Sequence, residues 1–198
     1  MTFNVRETRV KISFFFFVAV CFALVLDTTN TAALALCAAV IHETGHLLCM
    51  LLYGERPSEV FLAPFGMSIT RLSCGGCRKE IVIALAGPAA NLFTAAVLLV
   101  VMAIGKVSGL LKPAVVNVSL AVFNLLPIEP LDCGRAVRYR LMRSMNIVRA
   151  EKIAFVIGVV FLVPLSAMGF FVLIKSRYNV TLLLACFYLS WMLLKRKE

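Results

Sequence analysis

Both histidines of this 198-residue chain lie in one pentapeptide, His42-Glu43-Thr44-Gly45-His46, inside a long apolar run from Thr31 to Tyr53. On a helix, residues four apart share a face, so the two imidazoles can reach one metal ion while Glu43 points beside it. Two such donors suit Zn2+, one ion per chain, and an adjacent glutamate can act as the group that moves a proton there. A hydrogen-bonded pair of core histidines is the alternative reading. Ionisable groups within an apolar span are expensive to bury, however, and by default mark a functional site.

A catalytic zinc takes three protein ligands and keeps a position for water, so a third ligand must come from elsewhere. The histidines are exhausted; six residues after the second stands Leu52. Of the chain's ten carboxylates, Glu43 already stands in the pentapeptide and the others are the candidates. Asp27, Glu55, Glu59 and Glu80 are expected to face water, and Glu7, Glu151 and Glu198 sit near basic clusters, which leaves Glu129 and Asp132. The surrounding Asn124-Leu125-Leu126-Pro127-Ile128-Glu129-Pro130-Leu131-Asp132-Cys133-Gly134 favours Asp132. Each proline removes a backbone donor, and irregular backbone at membrane depth is tolerated where it is buried in protein or lines a watery cavity. Hydrolysis needs that water. Gly134 then allows close backbone approach beside the aspartate. Glu129 stays open as a carboxylate alternative, and Cys133 as a softer ligand. Donors for a developing oxyanion would come from Asn91 and Asn124, for which interhelical hydrogen bonding is the equal alternative.

The elements that must position these residues follow from composition. With 62% hydrophobic and 15% charged residues and a mean hydropathy of +0.97, the chain carries more apolar surface than a soluble core of this size could hide. It reads as one integral-membrane domain over residues 1–198. Apolar runs at Ile12 to Leu26, Thr31 to Tyr53, Ile81 to Ile104, Pro113 to Ile128, Ile153 to Ile174 and Tyr178 to Leu194 predict an all-α, multi-pass protein of about six transmembrane helices. The first and fourth are short for a span. After the second run, Ser58 to Leu72 reads as two extended stretches around Ala63-Pro64-Phe65-Gly66, a small β-hairpin that is either a connector or an edge for an unwound substrate strand.

The net charge of +10 does not point to nucleic acid, because orientation explains it better. With both termini in the cytosol, only Lys106, Lys112, Lys175 and Arg177 of the 20 basic residues fall outside. In the same frame His42, His46 and Asp132 converge on the cytosolic half of the bilayer. The run from Arg135 to Lys152 is a topological signal that could also hold anionic lipid headgroups. The N-terminal run reads as a retained first span rather than a cleaved signal peptide. Seven cysteines, an odd number mostly in apolar segments, read as small buried hydrophobes. Cys74-Gly75-Gly76-Cys77 is read as a glycine-rich turn with two free thiols, a redox or metal role being the alternative.

His42-Glu43-Thr44-Gly45-His46, then Gly87-Pro88-Ala89-Ala90-Asn91, then Asn124 through Gly134 in this order resemble the site-2 protease family of intramembrane zinc metalloproteases, most of all its compact sporulation-type branch. The resemblance covers roughly residues 30 to 145. It implies His42, His46 and Asp132 as zinc ligands, Glu43 as the acid-base, and Asn124 and Pro130 near bound substrate. It further implies a membrane-associated protein substrate, such as a sigma-factor or transcription-factor precursor or an anti-sigma factor, and a membrane regulatory protein as a partner. The chain is expected to carry neither a CBS nor a PDZ domain. A non-hydrolytic metal-binding or transport protein is the competing class, and it should show internal repeats with paired broken helices. None is evident.

Overall fold

The computed structural model describes residues 2–5, 8–55, 57–63, 66–71, 76–177 and 180–195. Strands β1 (Thr2–Val5) and β2 (Thr8–Ile12) precede helices α1 (Phe14–Leu26) and α2 (Thr31–Leu52). Strands β3 (Pro57–Ala63) and β4 (Gly66–Arg71) come next, then α3 (Cys77–Gly105), a 3-10 turn at Ser108–Leu110 and α4 (Leu111–Asn124). The chain closes with α5 (Asp132–Met142), α6 (Ile147–Ser176) and α7 (Thr181–Lys195).

The expectation of six spanning helices in an all-α fold is corrected on two points. Among the described residues, three helices, α2, α3 and α6, are long and apolar enough to cross a membrane. The apolar helices α1, α4 and α7 have 13, 14 and 15 residues. At 1.5 Å per residue they reach only about 20–22 Å, against a hydrocarbon core of about 30 Å. The second correction concerns the expected lone hairpin. Strands β3 and β4 pair antiparallel, but β3 also pairs parallel with β2, which pairs antiparallel with β1, so the chain carries a four-stranded sheet ordered β1-β2-β3-β4. The Thr8-Arg9-Val10-Lys11-Ile12 alternation suits a strand with two unlike faces. Pro64 and Phe65, the expected turn, lie outside the described residues.

Local chemistry fixes how the helices enter the bundle. Ahead of α2, the Asp27 carboxylate accepts from the Thr29 hydroxyl (2.6 Å), the Thr29 N–H (2.9 Å) and the Ala32 N–H (2.5 Å), satisfying donors at the helix start. Lys112 at the start of α4 donates to the Thr29 carbonyl and ties α4 to the same turn. The Asn146 side chain accepts from Val148 N–H (3.3 Å) to open α6. The apolar core joins Ile128 and Leu131 to Leu162 of α6 and Cys186, Leu189 and Leu193 of α7. Elsewhere large side chains such as Phe93, Val100, Phe171 and Phe187 lie exposed on the helices, the surface expected where lipid replaces water as solvent.

Candidate metal centre

Helix α2 brings His42 and His46 onto one face, four residues apart, together with Ala38 and Met50, and buries all four. That face meets α3 closely. A Cβ on Gly45 would lie 2.7 Å from both the Ala86 carbonyl oxygen and the Ala90 Cβ, so the absence of one lets the helices touch. A Cβ on Gly87 would lie 2.3 Å from His46 Nε2 and 2.8 Å from His42 Nε2, so the histidine pair occupies the space that a side chain there would fill. Pro88, inside α3, supplies no N–H to the carbonyl four residues back. Nearby, the Ile83 carbonyl accepts from His46 Nδ1 (2.7 Å). A carbonyl can only accept, so Nδ1 carries the proton and Nε2 of the neutral ring presents a lone pair.

The third member arrives where α4 stops. Between α4 and α5 the chain runs irregularly through Pro127 and Pro130, with Ile128 N–H bonded to Leu126 O (2.8 Å) and Leu131 N–H to Ile128 O (2.8 Å). Helix α5 then begins at Asp132, which is 7% exposed. Its Oδ2 lies 2.8 Å from His42 Nε2 and 3.3 Å from His46 Nε2, and the two imidazole nitrogens are 3.2 Å apart. Among the described residues, His42, His46 and Asp132 are the group of His, Cys, Asp and Glu side chains whose ligand atoms converge well enough to hold a metal.

The donor set fits a tetrahedral divalent ion. Zinc with bonds of about 2.0–2.1 Å separates its ligand atoms by about 3.3–3.4 Å, and the three edges here, 2.8, 3.2 and 3.3 Å, form a slightly tighter triangle of the same kind. Two imidazole nitrogens and a carboxylate oxygen are donors that catalytic zinc accepts. His42 Nδ1 is buried and makes no hydrogen bond among the described residues, so His46 alone has its outer nitrogen anchored. Glu43 is half-buried one residue along α2, within Coulombic reach of His46, His42, Asp132 and Arg135.

The remaining candidates lie elsewhere. Asn91 is fully buried and its Nδ2 donates to the Ala38 carbonyl (3.2 Å), one turn before His42, so its amide joins α3 to α2. Asn124 donates to Leu120 O (3.0 Å) within its own helix, and Pro130 is half-buried in the irregular stretch two residues before Asp132. Glu129 forms an ion pair with Arg138 (3.1 Å) and Cys133 is a half-buried free thiol; neither joins the converging group. Cys77 opens α3 as a free thiol, and Cys74 lies outside the described residues. The sequence pointed to close helix approach at Gly87 and the small alanines after it, but not to the imidazoles as the neighbours that Gly87 meets. The Ile83 carbonyl that orients His46 leaves no mark in residue identity.

Apolar helices enclosing a buried two-histidine, one-carboxylate cluster define a membrane protein with a candidate metal centre. The sequence profile of Peptidase family M50 matches residues 101–165. Two curated proteins are each 30% identical to the chain. Zinc metalloprotease MJ0392 of Methanocaldococcus jannaschii matches over 126 residues, 61% of this chain and 37% of that protein. Stage IV sporulation protein FB of Bacillus subtilis matches over 138 residues, 66% of this chain and 48% of that protein. The chain therefore spans less than half the length of either relative. In fold it is similar to the solved Site-2 Protease from Methanocaldococcus jannaschii, with a TM-score of 0.73 at 21% identity, covering 100% of this chain and 95% of the other. The chain thus matches the Peptidase family M50 profile over residues 101–165 and shares the fold of a solved site-2 protease.

Proposed function

We propose that the chain is an intramembrane zinc metalloprotease that hydrolyses a peptide bond of a membrane-associated protein near the cytosolic face. The observation that carries this reading is the meeting of His42 Nε2, His46 Nε2 and Asp132 Oδ2 within 2.8–3.3 Å inside a shell of apolar helices. His42 and His46 supply the paired donors of the His-Glu-x-x-His motif, and Asp132 of the Leu-Asp-x-Gly motif is the third ligand. Zinc held there supplies Lewis-acid activation of water and of the scissile carbonyl. Glu43, beside the cluster, takes the proton from the attacking water and delivers it to the leaving amine. The His46–Ile83 bond holds one ring in the ligating tautomer, and the Asn91 amide, committed to Ala38, sets the spacing of α2 and α3. Asn124 and Pro130 border the substrate channel in this reading.

A common side for the termini and the site is supported by the packing. Pairing of β2 with β3 brings residues 8–12 to the segment that follows the end of α2. Leu193 near the end of α7 lies in the same apolar core as Ile128, close to Asp132 in the chain. The positive-inside rule then makes that side cytosolic, where the exposed Arg140, Arg143 and Arg149 can meet anionic headgroups. A membrane-associated sigma-factor or transcription-factor precursor, or an anti-sigma factor, is the substrate class that the family resemblance implies, with a membrane protein as regulator. Mere metal binding or transport would leave Glu43 without a task. Co-expression with candidate single-span proteins, comparing wild type with Glu43→Gln, tests the proposal. Cleavage should disappear in the variant while zinc is retained, and equal cleavage by both would refute it.

A further inference from the structure

The irregular stretch that delivers Asp132 contains two prolines and so lacks two backbone donors, which raises the question of what holds it still. One face of α5 does so twice. Gly134 and Arg138, four residues apart, share that face. A Cβ on Gly134 would lie 2.4 Å from the Ile128 carbonyl carbon and 2.5 Å from Glu129 N, so the helix backbone rests directly on residues 128–129. One turn on, Arg138 Nε lies 3.1 Å from Glu129 Oε1, with both side chains largely shielded from water. The contact is an ion pair rather than an aligned hydrogen bond, and the same guanidinium sits 4.8 Å from the Tyr139 ring centre. Partial burial makes such a pair stronger than its fully exposed equivalent.

We propose that Glu129 and Arg138 are a pair of positioning residues, a clasp that fixes the 127–131 stretch against α5 and thereby aims the Asp132 carboxylate at the two histidines. Neither residue touches the converging ligand atoms. The clasp closes a short loop whose two ends are Glu129 and the second turn of α5, with Asp132 at the bend between them. With the clasp open, the start of α5 keeps the Gly134 contact, the Leu131–Ile128 and Arg135–Leu131 backbone bonds and the core packing of Ile128 and Leu131, but the tie between Glu129 and the second turn is gone and the Asp132 side chain gains freedom to leave the triangle. Groups bonded directly to a metal ligand typically shift metal affinity by about 10–100-fold when removed, and a clasp acting one step further out belongs at the lower end of that range.

The proposal rests on the zinc reading above, and its test keeps the two apart. Zinc affinity is measured by chelator competition on purified wild type, Glu129→Gln, Arg138→Gln and the double variant, with the thermal midpoint of each metal-free protein recorded beside it. Each single variant should lose about tenfold or more in zinc affinity, the double variant should lose no more than the worse single one, and the metal-free midpoints should stay together. Wild-type affinity in either single variant would overturn the clasp, as would independent, additive losses. A fall in the metal-free midpoint with unchanged zinc affinity would make the pair a fold staple and overturn the positioning role. If wild type itself bound no zinc, the site reading would fail, and the clasp with it.

Discussion

Replacing Gly87 by Ala perturbs the centre by one methyl group placed where the geometry leaves no room. The new Cβ would lie 2.3 Å from His46 Nε2, 2.7 Å from His46 Cε1 and 2.8 Å from His42 Nε2. Non-bonded contact requires about 3.5 Å, so the His46 ring must withdraw by about 1 Å, whereas metal–ligand distances tolerate only about 0.2 Å. The ring cannot simply swing aside, because its Nδ1 is bonded to the Ile83 carbonyl at 2.7 Å on the same helix that carries Gly87. Either that bond breaks or α2 and α3 separate, and overpacking of this size costs about 1–3 kcal/mol. Zinc affinity should fall by about 100-fold or more, equivalent to about 2.8 kcal/mol. The assay is zinc per chain in purified protein together with chelator competition. Gly109→Ala serves as the control, since a Cβ there meets nothing within 4 Å. Wild-type zinc affinity in Gly87→Ala would refute the placement of α3 against the imidazoles.

Two further outcomes follow from single contacts. Asn91→Ala removes the interhelical bond to Ala38; an interhelical hydrogen bond in a membrane bundle contributes about 0.6 and at most about 1.7 kcal/mol, so the thermal midpoint in detergent should drop modestly while zinc per chain is unchanged, and metal loss at unaltered stability would place the amide at the ligands instead. Asp27→Ala removes the cap of α2; the Thr29 hydroxyl, with help from the Ala32 and Thr29 N–H groups, holds the Asp27 carboxyl below its ordinary value near 3.8. The stabilisation from Asp27 is therefore fully present above that ordinary value and fades as pH falls through the lowered one, so wild type and variant should differ in midpoint at neutral pH and converge in acid. A difference independent of pH would remove the charge from the account of this cap.

The candidate metal cluster was more legible than the fold around it, for physical reasons. His42 and His46 announce themselves because helical spacing is written directly in sequence spacing. Asp132 emerged from the scarcity of alternatives and from the two prolines beside it, and the geometry places it against both histidines. The bundle was harder because apolar runs report hydrophobicity rather than depth: α1 and α7 are as apolar as the spanning helices and α4 less so, yet all three are too short to be read as full crossings. The sheet was half seen. The stretch from Ser58 to Leu72 carries its own turn signal, but the pairing of β2 with β3 joins segments separated by α1 and α2 and leaves no local mark. The basic residues Arg9 and Lys11 explained the N-terminal segment as a topological signal and hid the Val10 and Ile12 alternation between them.

The most direct measurement of the central claim is zinc X-ray absorption on the purified, detergent-solubilised chain, with metal content determined for wild type and Asp132→Asn. The account predicts one zinc per chain, a first shell of two imidazole nitrogens plus oxygen with no sulfur, and a markedly weaker site in Asp132→Asn. A sulfur scatterer, or full zinc affinity in Asp132→Asn, would contradict the assignment of His42, His46 and Asp132 as the ligands.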